Sequence, residues 1–203
     1  MPYPSSPLIT STPRLHISLL NPTNPLHSHF LHHLWTTPDY TTSCGPSAIQ
    51  TPEDATTFLK TRIQALYTSS DYKRGFFLLS LKPHPTATLS ESVPIGTMSL
   101  MQGAPPDGYT LPDIGYCVLP EHSGRGYATE AGKALVAYAC GELGLDGVFA
   151  FCDVGHMRSR RVLEKIGLED RGARELRVFG GQRSAVYALP GMERDLRVYG
   201  VDD

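Results

Sequence analysis

The feature that most constrains the fold is a strand, a glycine turn and a helix in direct succession. Residues 113–119 have a strand-like composition and stop at Pro120, which cannot donate a hydrogen bond to a neighbouring strand. Gly124 and Gly126 then form a turn before the helical pattern of residues 127–143. The first N–H groups of a helix lack internal acceptors and lie at the positive end of its dipole. This succession therefore predicts a site for an anion such as a phosphate, while a purely steric role for the glycines is the alternative.

Two common nucleotide-binding motifs are excluded at this turn. A dinucleotide fingerprint needs Gly or Ala where Thr129 stands, and it lies early in a repeated strand–helix–strand pattern. A P-loop needs Gly-Lys followed by Ser or Thr, whereas Gly132 and Lys133 are followed by Ala134 inside the predicted helix. An anion bound here must therefore be held by another fold.

Periodicity along the chain predicts one α/β or α+β domain with a mixed sheet. The clearest helix start is Thr51, a capping residue followed by Pro52, Glu53 and Asp54. Helices are expected at residues 26–36, from 52 to about 66, at 127–143 and at 157–166. Strands are expected at residues 14–20, 75–81, 94–101, 113–119, 147–152, 174–179 and 184–189, with no recognisable element in the connection 82–93.

Composition places the chain among ordinary globular proteins. It has 203 residues, 40% of them apolar, and a formal net charge of −2 from 18 basic and 20 acidic side chains. This near balance argues against a general nucleic-acid binder, which needs an excess of Lys and Arg. No apolar run approaches the roughly 20 residues of a membrane-spanning helix, and the N-terminus has no signal-peptide pattern. We expect a soluble, cytoplasmic protein without nucleic-acid or membrane partners, and reduced thiols at all four cysteines.

Three segments carry a family resemblance. Residues 114–120, 124–131 and 159–167 are similar to the GNAT N-acetyltransferase superfamily, and within it to the RimJ/RimL-like branch. The resemblance extends over residues 12–190. It implies an α+β, three-layer fold with a mixed, mostly antiparallel sheet, a splayed centre and helices on both faces. The corresponding division is a flexible N-terminal leader (1–11), the N-acetyltransferase domain (12–190) and a polar C-terminal tail (191–203).

The resemblance also implies an acetyl-coenzyme A site without any metal. The family pattern R/Q-x-x-G-x-G/A falls on Ser123, Gly126 and Ala128, and Ser123 departs from the usual Arg or Gln. The backbone of this turn would hold the pyrophosphate, and pantetheine would pair with the strand before it. His156 replaces a common Asn and is expected to bind pantetheine or, alternatively, to act in catalysis. The implied cofactor-binding residues are Cys117, Val118, Leu119, Ser123, Gly124, Arg125, Gly126, Tyr127, Ala128, Thr129, His156 and Ser159.

The implied reaction is direct attack of an amine on the thioester, which requires removal of a proton. An alkyl ammonium has a pKa of about 10.4, so only about one amine in a thousand is free at neutral pH. Asp113 is the first candidate base, directly or through water, with a solvated carboxylate as the alternative. Tyr116 is a candidate proton donor or acceptor-site wall, with simple packing on the sheet as the alternative. The family places an oxyanion-stabilising backbone N–H near Val118.

The sequence leaves the acceptor and a histidine cluster open. His27, His29, His32 and His33 have a metal-like composition, but no Glu separates them as in a zinc hydrolase, so bordering the acceptor pocket is the alternative. The acceptor is a small amine or a peptide N-terminus. Two further functions fit the same motifs: a regulatory module that binds acyl-coenzyme A without turnover, and an acyltransferase that uses another acyl donor or a hydroxyl acceptor. The oligomeric state is open, with a homodimer among the options.

Overall fold

The computed structural model describes residues 7–103 and 108–201, which divide into two compact units. The first unit comprises Met1–Ser99 and Tyr116–Ala131, and the second comprises Leu100–Gly115 and Gly132–Asp203. Within the described ranges we find eight strands, whose pairing is mostly antiparallel. The predicted fold class, a mixed α/β protein with a mostly antiparallel sheet, is confirmed.

The first unit contains the strands that lead to the glycine turn. Its strand order is β1-β2-β3-β4-β5, in which β1–β2 and β2–β3 are antiparallel. The strands are β1 (Leu8–Ser11), β2 (Leu15–Leu19), β3 (Gly75–Leu81), β4 (Val93–Met101) and β5 (Asp113–Val118), and the last two continue into the second unit. The helices are α1 (Pro25–Trp35), α2 (Pro38–Cys44), α3 (Pro52–Phe58), a π-helical turn (Leu59–Ile63) and α4 (Gln64–Ser69).

Strand β2 forms the centre of this unit's core, because all five of its residues are buried between β1 and β3. Its apolar residues explain that position, and His16, one of its two buried polar residues, is hydrogen-bonded on both sides. The Nδ1 atom of His16 lies 2.7 Å from the Ser11 hydroxyl, and its Nε2 lies 2.9 Å from the Ala87 carbonyl oxygen. The imidazole therefore ties β2 to the 82–93 connection, in which the structure also places a 3-10 turn at Leu89–Glu91.

Two predictions for the first unit need correction. Leu8–Ser11 is a strand paired with β2 rather than part of a flexible leader, and residues 1–6 of that leader lie outside the described residues. Helix α2 was not predicted, because none of its residues is buried and it has no apolar stripe. The predicted cap at Thr51 is confirmed, since its hydroxyl accepts from the Asp54 N–H while the Asp54 carboxylate accepts from the Thr51 N–H.

The second unit adds the strands β6 (Phe149–Asp153), β7 (Glu169–Leu176) and β8 (Gln182–Ala188) to β5. Their order in the sheet is β5-β6-β8-β7. Strands β5 and β6 are parallel, with Asp113 opposite Phe149, whereas β8 is antiparallel to both β6 and β7. The further elements of this unit are α6 (Met157–Lys165) and 3-10 turns at Arg177–Phe179 and Leu196–Tyr199. Strand β7 thus begins and ends earlier than the strand predicted at 174–179. Its first residues are mostly charged and show no apolar periodicity, so the sequence pattern did not reveal where it begins.

The segment predicted as a polar tail contributes to the core of the second unit. Met192, Leu196 and Val201 are buried in one apolar cluster with Phe149 and Val186. Charged residues separate these apolar ones along the chain, and the tail therefore has a polar composition despite its buried side. In the part of the chain that the structure describes, no helix is long and apolar enough to cross a membrane.

Candidate active site

The glycine turn lies in the first unit and has the predicted geometry. Strand β5 ends at Val118, a 3-10 turn covers Pro120–His122, and helix α5 (Tyr127–Ala137) begins directly after the glycines. Gly124 has φ 76° and Gly126 has φ 81°, a region that residues with a Cβ rarely adopt. A Cβ added at Gly124 would meet no atom within 4 Å, so the backbone conformation rather than crowding requires glycine there.

The turn presents unpaired backbone donors. The Ser123 N–H donates to the Pro120 carbonyl, and the next backbone bond along the chain is from the Glu130 N–H to the Gly126 carbonyl, both at 3.0 Å. Among the described residues, the N–H groups of residues 124–129 have no acceptor. Residues 123–126 are exposed, so these donors are accessible at the positive end of the α5 dipole. The turn thus fits a diphosphate, and it brings together the predicted residues from Ser123 to Thr129.

An ionic cluster that the sequence did not reveal supports this turn. The Arg14 Nε donates to Glu130 Oε2 at 2.6 Å, and Arg14 Nη1 donates to the Arg125 carbonyl oxygen at 3.2 Å. The Arg14 guanidinium also lies 4.7 Å from the centre of the Tyr127 ring. The Thr12 hydroxyl donates to the other Glu130 oxygen. Arg14 begins the strand predicted at residues 14–20, and Thr12 lies just before it.

Backbone direction along β5 distinguishes the three residues predicted to pair with pantetheine. The Leu119 N–H donates to the Ile95 carbonyl of β4 at 2.9 Å, and a Cβ at Gly96 would lie 2.3 Å from the Cys117 oxygen. Cys117 and Leu119 therefore direct backbone groups toward β4. Because alternate residues of a strand turn their N–H and C=O groups to opposite edges, those of Val118 are directed away from β4. Of the three, Val118 is therefore the residue whose backbone groups do not face β4.

The thiol of Cys117 is kept neutral. Burial raises its pKa to about 12, and the nearby Cys44 thiol and Asp39 carboxylate act in the same direction. Burial likewise raises the pKa of Cys44, Cys140 and Cys152. A thiolate rather than a thiol is the nucleophile, so these side chains are poorly suited to nucleophilic catalysis at neutral pH.

Four half-buried aromatic rings of the first unit form a cluster. Trp35 stacks on Tyr40 with ring centres 5.3 Å apart, and it contacts Phe58 at 5.3 Å and Phe76 at 5.8 Å. Burial, followed by the thiols of Cys44 and Cys117, raises the pKa of Tyr40. Because Cys117 of β5 affects the pKa of Tyr40, helix α2 lies near enough to β5 for these two side chains to interact electrostatically.

The two predicted catalytic residues both lie on β5. Burial raises the pKa of the Asp113 carboxyl to about 7, against a smaller opposing effect of its own backbone hydrogen bond. A carboxyl group with this pKa exchanges protons near neutral pH, as a general base requires. Tyr116 is half-buried on the same strand.

In the second unit, His156 has a structural function in addition to any role toward a ligand. It is the N-cap of helix α6, and its Nδ1 accepts from the Ser159 N–H at 3.3 Å. The Ser159 side chain in turn forms a hydrogen bond with Cys152 on β6. Sequence reasoning missed this cap because His is not among the usual capping residues.

Three of the four histidines of α1 form hydrogen bonds within the first unit. His27 Nδ1 accepts from the Asn21 N–H at 2.8 Å, and His32 Nε2 donates to the Gln50 carbonyl at 2.9 Å. His29 Nδ1 lies 2.6 Å from the Pro25 oxygen. Within residues 7–103 and 108–201, no group of three or more His, Cys, Asp or Glu side chains could hold a metal ion.

The fold and the turn together define a mixed α/β protein with exposed backbone N–H groups at the start of a helix, an arrangement that suits a phosphate group. Comparison with known proteins identifies the family. A family model described as "Acetyltransferase (GNAT) domain" matches residues 18–169, and the chain therefore belongs to the GNAT acetyltransferase family. The predicted superfamily is confirmed.

Solved structures agree with this family. A GNAT-family acetyltransferase from Bacillus anthracis has a TM-score of 0.67 and 22% identity, with 90% of this chain and 97% of that chain covered. The RimL ribosomal L7/L12 alpha-N-protein acetyltransferase, solved in complex with coenzyme A, has a TM-score of 0.68 and 16% identity, with 89% and 96% covered. Identities this low establish the fold alone.

Sequence relatives cover a shorter part of the chain. "Putative ribosomal N-acetyltransferase YdaF" of Bacillus subtilis is 42% identical over 87 residues, which are 43% of this chain and 43% of that protein. The chain spans less than half the length of the curated relatives that it matches.

Proposed function

We propose that this protein is an acetyl-coenzyme A-dependent N-acetyltransferase that transfers the acetyl group to a primary amine by direct attack. The observation that carries the proposal is the turn at residues 123–129, where the unpaired, exposed N–H groups of residues 124–126 and the positive-φ glycines suit a diphosphate. When bound, acetyl-coenzyme A supplies an electrophilic thioester carbonyl and a thiol leaving group.

Each part of the reaction has a candidate group in this chain. The Val118 N–H, directed away from β4, stabilises negative charge on the acyl oxygen. Asp113 accepts the proton of the acceptor's ammonium group, directly or through water, because its pKa of about 7 lies between that of a free carboxyl and that of an amine. Tyr116 is placed on the same strand as a proton donor or as a wall of the acceptor site. His156 and Ser159, at the start of α6, offer polar atoms to the pantetheine arm.

Direct attack is favoured over an acetylated-cysteine route by the state of the thiols. Burial raises the pKa of all four, that of Cys117 to about 12, so each is protonated near neutral pH. The amine itself is then the nucleophile, and the kinetics should show both substrates bound before the first product leaves.

The acceptor is a small amine or a peptide N-terminus. The half-buried rings of Trp35, Tyr40, Phe58 and Phe76 support an acceptor with an apolar or aromatic group beside the amine. The names "Putative ribosomal N-acetyltransferase YdaF" and "Ribosomal L7/L12 alpha-N-protein acetyltransferase" support testing ribosomal peptide N-termini first.

The test combines cofactor binding with amine-dependent thiol release. Calorimetry with coenzyme A measures binding, and a panel of small amines and peptides is incubated with acetyl-coenzyme A while thiol release and acceptor mass are recorded. A mass increase on an amine supports the proposal. Coenzyme A binding without release from any acceptor overturns it in favour of a regulatory module. Transfer only to a hydroxyl, or only from a longer acyl donor, overturns it in favour of an acyltransferase with that specificity.

A further inference from the structure

The guanidinium of Arg14 meets the glycine turn through several contacts at once. It pairs with Glu130 of helix α5, with Nε and Nη2 each 2.6 Å from Oε2, and donates through Nη1 to the Arg125 carbonyl. Its plane lies over the Tyr127 ring, and Nη2 would be 3.6 Å from a Cβ at Gly126. All of these groups belong to the first unit.

One contact fixes the direction of a donor. In a trans peptide the carbonyl of one residue and the N–H of the next point to opposite sides. Because the Arg125 carbonyl is held by Arg14, the Gly126 N–H is turned away from the guanidinium. That N–H is one of the unpaired donors of the turn.

A second contact controls charge at the helix start. Burial alone would raise the pKa of Glu130, but hydrogen bonds from Thr12 and Arg14 and the Arg14 charge outweigh it and lower the pKa, so the carboxylate is ionised. An unpaired carboxylate in the first turn of α5 would repel a diphosphate at the same helix terminus. The Arg14 charge offsets this repulsion.

We infer that Arg14 is a positioning residue for the cofactor turn, which aligns the Gly126 N–H and neutralises Glu130 so that a diphosphate can bind. The inference rests on the proposed function, because it assigns a role toward coenzyme A. It goes beyond fold stability, since the Arg14 side chain is 46% exposed and an ion pair with an exposed member adds little to stability.

The test is a charge cycle measured by coenzyme A binding. Arg14→Gln, Glu130→Gln and the double variant are compared with the unmodified protein by calorimetry at low and high salt. Arg14→Gln should weaken binding about tenfold at low salt and less at high salt, because screening reduces the repulsion from Glu130. Glu130→Gln should bind at least as tightly as the unmodified protein, and the double variant should recover most of the loss.

Further readouts separate positioning from folding. Arg197→Gln removes another exposed arginine ion pair, with Asp195, and should leave coenzyme A affinity unchanged. Pantetheine lacks the diphosphate, so its binding should not respond to Arg14→Gln. In kinetics the same change should raise KM for acetyl-coenzyme A and leave kcat nearly constant.

The outcomes distinguish the two proposals. If the unmodified protein binds no coenzyme A, the proposed function fails. If it binds coenzyme A and Arg14→Gln binds equally well, the positioning inference fails while the function stands. If Arg14→Gln binds more weakly but the double variant is equally weak with no salt dependence, the neutralising role toward Glu130 is overturned and only the alignment of the Gly126 N–H is supported.

Discussion

At the scale of single residues, the buried carboxyl group of Asp113 affects both the proposed reaction and the stability of the fold. Burial raises its pKa to about 7, so it is largely protonated at pH 5 and ionised at pH 8. If it is the base, kcat/KM should rise through pH 7, and Asp113→Asn should remove that rise and lower the rate about 100-fold or more. A pH–rate profile of both proteins measures this. Asp146→Asn, at an exposed position, is the control and should keep the normal profile.

For stability, the raised pKa of Asp113 predicts the opposite dependence on pH. Between the ordinary carboxyl pKa and about 7, the folded state binds more protons at Asp113 than the unfolded state does, so its contribution to the unfolding free energy falls as pH rises. Asp113→Asn removes this cost, so at pH 8 the variant should unfold at an equal or higher temperature. Linkage limits the gain in the free energy of unfolding to about a few kcal/mol. A variant that loses both activity and stability at pH 8 would instead indicate a structural carboxylate.

Gly96 determines how closely β4 approaches β5. A Cβ there would lie 2.3 Å from the Cys117 oxygen and 3.1 Å from the Val118 Cα, and both are backbone atoms that cannot rotate away. Gly96→Ala should therefore displace β5, lower the melting temperature by several degrees and weaken coenzyme A binding. Thermal unfolding and calorimetry measure the two effects. Gly141→Ala, where no atom lies within 4 Å of the added Cβ, should be neutral or stabilising.

At the scale of elements, the C-terminal segment is structural. Removal of residues 191–203 would expose Phe149 and Val186, which pack in one cluster with the buried Met192, Leu196 and Val201. Each large apolar side chain removed from a core costs about 2–5 kcal/mol, so the truncated chain should be unfolded or strongly destabilised. Circular dichroism on heating tests this. Val198→Ser lies in the same segment at 59% exposure and should melt like the unmodified protein.

Local signals predicted elements well, and their limits have physical causes. The cap at Thr51 and the turn at Gly124 depend on neighbours within a few residues, and both were predictable. Arg14 acts on Glu130 across 116 positions of the chain, so no spacing rule reveals it. The tail was mistaken for a polar end because burial of Leu196 depends on the tertiary fold and not on the average polarity of its neighbours.

At the scale of the whole molecule, the nearly balanced charge means that binding of an anion depends on groups close to its site. A formal net charge of −2 cannot attract an anionic cofactor over long distances, and screening limits such fields to about 8–10 Å in physiological salt. Under the proposed function, affinity for coenzyme A comes from the donors of the turn and from the backbone of Val118. A cofactor held by these groups binds the folded chain and not the unfolded one.

This selectivity predicts a concentration-dependent thermal shift. A ligand that binds only the native state at about 100 times its Kd stabilises it by about 2.7 kcal/mol, or about 5–10 °C for a chain of this length. Coenzyme A should raise the melting temperature in this way, whereas pantetheine at the same concentration should raise it much less, because it lacks the diphosphate. Equal shifts from both compounds would show that the turn contributes nothing to affinity. The absence of a shift with coenzyme A at millimolar concentration would contradict the site itself.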